Sequence, residues 1–152
     1  MLEFEKNNIS EAISIEKEIM ACTSGTSMYP MLRHRRDMVV IETVNRKLKK
    51  NDVPLYRLKS GKLVLHRILK VTDNGYIIRG DNLYHKEYNI TDDNIIGVLK
   101  AFYRDGKYYE CATSKAYHIY IVLNKLSFPL RYLWKIIIRP FLGKIKRFIL
   151  RK

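Results

Sequence analysis

The sequence predicts a mainly β protein: a compact, curled antiparallel sheet or small barrel, with one helix before it and amphipathic helices after it. Three observations predict this. Between about Asp37 and Glu110, short β-branched and aromatic runs alternate with turn residues at close spacing. Ahead of that region, Asn8 to Cys22 carries apolar residues at helical spacing against an acidic face. Beyond it, from Ala112 to Lys152, aliphatic and aromatic clusters are interleaved with cations and contain no acidic residue. At 152 residues, 47% hydrophobic and 29% charged, the chain has the composition of one folded domain with a modest core and not of a disordered segment.

Taken in order, Ser10 is the expected N-cap of a helix over residues 8–22, with Glu11 favourable in its first turn and Ile13, Ile15, Ile19 and Met20 as its apolar stripe. The β core spans residues 24–110. Met38 to Val44 is β-branched and reads as a strand. Val53 to Leu58 follows, with Pro54 marking a strand start or an edge. Ser60-Gly61 is a turn and Leu63 to Val71 a strand. Asn74-Gly75 signals a type I′ hairpin into Tyr76 to Arg79. Ile95 to Tyr103 is the next strand, and Asp105-Gly106 turns it into Lys107 to Glu110. In the tail, Pro129 and Pro140 are expected to cut the helical region into three pieces. The composition divides the chain into residues 1–111 and a basic tail, 112–152.

Charge follows the same division. The net charge is +14, and all 15 acidic residues precede Ala112. The tail holds ten cations: Lys115, Lys125, Arg131, Lys135, Arg139, Lys144, Lys146, Arg147, Arg151 and Lys152. Cys22 and Cys111 lack the spacing of a metal site or a redox pair and read as free thiols in a reducing compartment, with a single disulfide as the alternative. No cofactor or metal is expected. The N-terminus, Met1-Leu2-Glu3-Phe4-Glu5, has no basic region followed by an apolar run. No stretch is long and apolar enough to span a bilayer. The expected location is therefore cytoplasmic, with peripheral attachment to the inner leaflet open.

The chemistry-bearing stretch is Ser24-Gly25-Thr26-Ser27-Met28-Tyr29-Pro30. A serine hydroxyl needs a base within hydrogen-bond reach to act as a nucleophile. A tight turn exposes such an oxygen, Gly25 permits the backbone angles of the turn, and Pro30 stops a helix from continuing through it. His66 lies in the strand-like run Leu63-Val64-Leu65-His66-Arg67-Ile68, where alternation half-buries it with Val64 and Ile68. An imidazole needs little pKa shift to serve as a base near neutrality. Gly80-Asp81-Asn82 offers a carboxylate at the edge of another strand. His34, His85 and His118 lack such a context and read as surface residues. Tyr29 reads equally as a cleft wall or a packing aromatic.

In this order, Gly25-x-Ser27-Met28-x-Pro30, Asp37-Met38-Val39-Val40, His66-Arg67-Ile68 and Gly80-Asp81-Asn82 resemble the signal peptidase I and LexA-type serine protease superfamily, from Ser24 to Tyr103. The resemblance implies a mostly β fold, peptide-bond cleavage and Ser27 as nucleophile. A histidine rather than a lysine in the base position resembles the endoplasmic-reticulum and archaeal type of signal peptidase and a few bacterial relatives. It implies His66 as base and Asp81 as the carboxylate that orients it, with Asp92 and Asp93 as weaker candidates. The oxyanion hole would use the Ser27 N–H. Ser24, Gly25, Thr26 and Met28 are the candidate residues around the oxyanion and substrate, and the second donor stays open.

The expected activity is therefore that of a serine endopeptidase processing the leader or tail of a peptide or small protein. The substrate's identity and the oligomeric state are not readable. Residues 117–152 suit the headgroup layer of an anionic membrane, with a packed helical cap as the bland alternative. Nucleic acid is disfavoured by the apolar density. Two other functions remain. One is a LexA-type or UmuD-like self-cleaving regulator, against which residues 1–26 hold no DNA-binding domain and no Ala-Gly or Cys-Gly cut site. The other is a non-enzymatic membrane-binding module on a protease fold.

Overall fold

The computed structural model describes Ile13 and residues 15–141. The chain divides into two compact units between His118 and Ile119. The first is a curled antiparallel half-barrel sheet with a smaller sheet beside it, and its described residues form nine strands: β1 (Glu18–Cys22), β2 (Met38–Glu42), β3 (Pro54–Arg57), β4 (Leu63–Leu65), β5 (Arg67–Thr72), β6 (Gly75–Arg79), β7 (Glu87–Ile90), β8 (Ile95–Arg104) and β9 (Lys107–Glu110). The larger sheet runs β1-β2-β8-β3-β4, with β9 also paired to β8; the smaller runs β5-β6-β7.

Among the described residues, the expected helix over 8–22 does not run to Cys22: Ile13, Ile15 and Glu16 are helical, and the helix ends before Glu18. Residues 8–12 and Ser14 lie outside the described residues. The Lys17 N–H reaches Ile13 O at 3.0 Å, and Lys17 then takes a left-handed φ of 62°, which ends the turn. Glu18–Cys22 is instead the edge strand β1, antiparallel to β2 with Ile19 opposite Ile41 and Ala21 opposite Val39. The expected apolar stripe does not hold: Ile15 and Met20 are 74% and 54% exposed, while Ala21 is buried. Pairing with β2 satisfies the backbone of this segment, and its exposure alternates as a strand requires.

β8 is the spine of the larger sheet. β2 lies along its Val98–Tyr103 stretch, while β3 and β9 lie along its two ends, Ile95–Val98 and Ala101–Arg104. The β8–β9 connection is a two-residue loop in which Asp105 and Gly106 both have positive φ (49° and 75°), the geometry that an Asp-Gly hairpin favours. The β5–β6 hairpin falls where Asn74-Gly75 places it, but the loop residues are Asp73 and Asn74, and Gly75 carries the positive φ (122°) as the first residue of β6. A Cβ on Gly75 would come 2.3 Å from Ile90 O, so glycine lets β7 close against the hairpin.

The run Leu63 to Val71 is not one strand. It breaks at His66: β4 pairs with β3 in the larger sheet, while β5 pairs with β6 in the smaller one. The core cluster spans this change of sheet. Tyr56, Val64 and Val98 of the larger sheet pack with Ile68, Tyr76, Ile78 and Ile90 of the smaller, together with Leu48. His66 is thereby fixed at the seam between the two sheets.

After β9, helix α1 (Lys115–Tyr132) runs through Pro129 without ending. It passes into a π-helical segment, Leu133–Ile138, closed by the Arg139 N–H on Trp134 O. The tail is thus not cut at Pro129. A proline withholds one donor, and the wider turns beginning four residues later are a known way for a helix to absorb such a defect. No helix among the described residues is long and apolar enough to cross a membrane. Cys22 and Cys111 are both free thiols.

Candidate active site

Ser27 lies in a loop between β1 and β2 that is tied shut at its base. The Thr23 N–H donates to Asp37 O at 3.0 Å, and Thr23 Oγ1 lies 2.7 Å from Arg33 O and 2.9 Å from Asp37 O. The Asp37 carboxylate is fully buried and accepts from the Arg33 N–H at 2.9 Å and from its guanidinium at 2.9 and 2.7 Å. Within this frame the Tyr29 N–H bonds Thr26 O at 3.1 Å and the Leu32 N–H bonds Met28 O at 3.0 Å. Ser27 is therefore a central residue of a tight turn and is half-buried. Met28, Met31 and Leu32 are buried beneath it, and Tyr29, at 51% exposure, points outward. Gly25 has a φ of 89°, which a side chain would disfavour.

The Gly80-Asp81-Asn82 turn docks on the serine turn from the other side. The Asn82 N–H donates to Ser27 O at 2.8 Å, and Asn82 Nδ2 donates to Thr26 O at 3.1 Å. Gly80 allows this approach, because a Cβ there would sit 2.7 Å from Ser27 O. Asp81, expected beside the imidazole, is engaged by Arg67. Its two oxygens accept from Arg67 Nε at 2.9 Å and Nη2 at 2.7 Å. The reason is Arg67 itself, a cation only 3% exposed that needs a compensating charge in the same interior. The rest of that guanidinium is also committed: Nη1 donates to Asn51 O at 3.0 Å and to Tyr117 Oη at 2.9 Å, and Nη2 lies 3.0 Å from Met31 Sδ. Of the weaker candidates, Asp92 accepts from Tyr76 Oη at 2.6 Å and Asp93 is exposed.

The carboxylate at His66 is Glu87, on β7. His66 is 4% exposed, more deeply buried than alternation implied. Its Nδ1 lies 3.1 Å from Glu87 Oε1 and 3.0 Å from Tyr56 Oη, while Tyr56 Oη donates a short hydrogen bond to Glu87 Oε2. Since the tyrosine proton goes to Glu87, the proton on Nδ1 is the one that satisfies Glu87 Oε1. That fixes the tautomer with Nε2 as the basic nitrogen. Burial alone would push the Glu87 carboxyl up, but the hydrogen bonds from His66 and Tyr56 outweigh it and hold the carboxyl below its ordinary value. Burial and the same carboxylate push the Tyr56 phenol far up, so it stays a donor.

Ser27 and the strand leading to His66 share a small cleft of about 20 Å³, lined by Thr23, Ser24, Gly25, Ser27, Met28, Leu32, Val64 and Leu65. The hydrogen bonds of the His66 ring go to Tyr56 and Glu87, and none among the described residues goes to Ser27. Catalytic hydrogen bonds are often open before substrate arrives. Of the residues predicted around the oxyanion, Ser24, Gly25 and Met28 line this cleft with Ser27, while Thr26 is exposed and does not line it. The Gly25 N–H is occupied by His34 Nδ1 at 2.8 Å. His34 is exposed as expected, yet it touches the serine loop, which its sequence context did not signal. No protein-family model matches this chain, and no curated protein matches it.

Proposed function

We propose that the protein is a serine endopeptidase of the Ser/His type, on a fold of the signal peptidase and LexA protease kind. Ser27 is the nucleophile. His66 Nε2 takes its proton, and Glu87 replaces Asp81 as the carboxylate that orients the ring and compensates the charge the imidazolium acquires. Asp81, Arg67 and Asn82 are positioning residues that hold the serine turn. The observation that carries this reading is the Tyr56–Glu87–His66 cluster: a buried imidazole whose Nδ1 is fixed by a carboxylate, next in sequence to residues that share a cleft with a turn-borne serine.

The substrate is the leader or tail of a peptide or small protein, bound as an extended strand against the enzyme's sheet. Acylation of Ser27 by the scissile carbonyl releases the amine carrying the proton that His66 accepted. Water, deprotonated by the same ring, then releases the acid. The Ser27 N–H is the first oxyanion donor.

Incubation of the purified protein with a peptide library tests the activity, with Ser27→Ala and His66→Ala as controls. Cleavage that both substitutions abolish supports the reading. Cleavage that survives Ser27→Ala overturns it. Shortening of the chain itself, read by mass spectrometry, would mark self-cleavage as the activity instead.

A further inference from the structure

The strongest unexplained surface is on the second unit. Along α1 and the helical turns after it, Ile119, Leu123, Leu126, Leu130, Trp134 and Phe141 recur at steps of three, four or seven residues, the spacing of one helix face. They are 59%, 59%, 66%, 70%, 55% and 62% exposed. An isolated exposed leucine needs no explanation, but a continuous stripe of this length marks an interaction surface. Lys125, Arg131, Lys135 and Arg139 fall between the stripe residues, and the span from Ala112 to Lys152 contains ten cations and no acidic residue.

We infer that this stripe is an anionic membrane-surface anchor, which lies along the headgroup layer with its apolar face in the acyl boundary. The charge pattern selects this occupant. Two copies packed stripe to stripe would bring two strongly basic segments together, which disfavours self-association. Nucleic acid would meet the cations but leave Leu, Ile and Trp without apolar contact. A lipid surface satisfies both faces at once, because phosphates and carboxylates meet the lysines and arginines while acyl chains take the stripe. The cations also keep the helix at the surface, consistent with its inability to span. This inference is independent of the proposed catalysis, and the Ser27→Ala protein serves equally for its test.

Trp134 is the chain's one tryptophan and sits on the stripe, so the full-length protein carries its own reporter. Its emission is read against phosphatidylcholine vesicles with and without phosphatidylserine. The expected result is a blue shift on the anionic vesicles, quenching by lipids brominated in the acyl chain, and weakening as salt is raised. The triple variant Lys125→Glu, Lys135→Glu, Arg139→Glu is expected to lose about fivefold or more in affinity per cation removed, with an unchanged melting temperature as the check on folding. Equal binding to neutral vesicles, or no shift on either, overturns the inference. So does a shift that follows protein concentration without lipid, which would make the occupant a second copy. A shift produced by RNA and not by vesicles overturns it equally.

Discussion

Arg67 and Asp81 form a two-point ion pair in the interior, with side chains only 4% and 3% exposed. Removing one partner would leave a buried charge without compensation. Asp81→Asn is therefore expected to destabilise the protein by about 3–5 kcal/mol, measured by urea unfolding. Activity should fall along with stability, because the same turn holds Ser27. An Asp81→Asn protein of normal stability and no activity would instead assign this carboxylate to the imidazole.

Glu87 is expected to show the opposite balance. Glu87→Gln keeps the volume and one acceptor but removes the charge that faces the imidazolium. It should lower kcat by about 100-fold or more, within the usual range for general-base catalysis. KM should change little, and unfolding should shift far less than in Asp81→Asn. Partial recovery by Glu87→Asp would confirm that the carboxylate acts through the ring.

The pH dependence of stability follows from the same cluster. The Glu87 carboxyl is held below its ordinary value in the folded protein, against a value of about 4.3 when unfolded. Its stabilisation is complete above the unfolded value and is lost as the pH falls through the folded one. Wild-type Tm should therefore drop on acidification below the ordinary carboxylate range, and the difference between wild type and Glu87→Gln should shrink over that window. Tyr56→Phe removes one of the hydrogen bonds that hold the carboxyl low and should move the loss to higher pH.

Gly80→Ala tests the clamp on the serine turn. The added methyl group meets Ser27 O at 2.7 Å, a backbone atom that can retreat only by moving the turn. A cost of roughly 1–3 kcal/mol is expected, as for other overpacked sites. Catalysis should fall by more than this stability loss accounts for, measured below the melting transition. Unaltered kcat/KM would show that Ser27 does not need the clamp.

Much of the fold was legible in the sequence because its strands are β-branched and bounded by turns. β2, β8 and the Asp105-Gly106 hairpin lie where pattern and turn chemistry put them. The misreading of Glu18–Cys22 has a clear source: Glu, Ile, Met and Ala suit a helix locally, and only the partner strand Met38–Glu42 makes the segment extended. For the site, Ser27 and His66 stood out through their local contexts. Glu87 did not, since Lys86-Glu87-Tyr88 resembles any solvated strand start. Its role arises from β7 pairing with β6, which brings Glu87 opposite Ile78 and so to the seam where His66 lies. Asp81 was conspicuous for a related reason: the turn that carries it does serve the site, but through the backbone of Ser27.

Arg67 also joins parts of the chain that are made at different times. Its guanidinium meets Asp81 only 14 residues along the chain, but meets Tyr117, on the first turn of α1, 50 residues along. The serine turn is synthesised early, and the last side chain that completes the Arg67 cage is synthesised late. Contacts this far apart in sequence carry a high loop-closure cost and form slowly. A nascent chain released before Tyr117 would hold the strands of the first unit yet leave a buried cation short of an acceptor. Closure of the cage around Arg67 is thus a late event in the life of each molecule, reached only after nearly all of the first unit has been made.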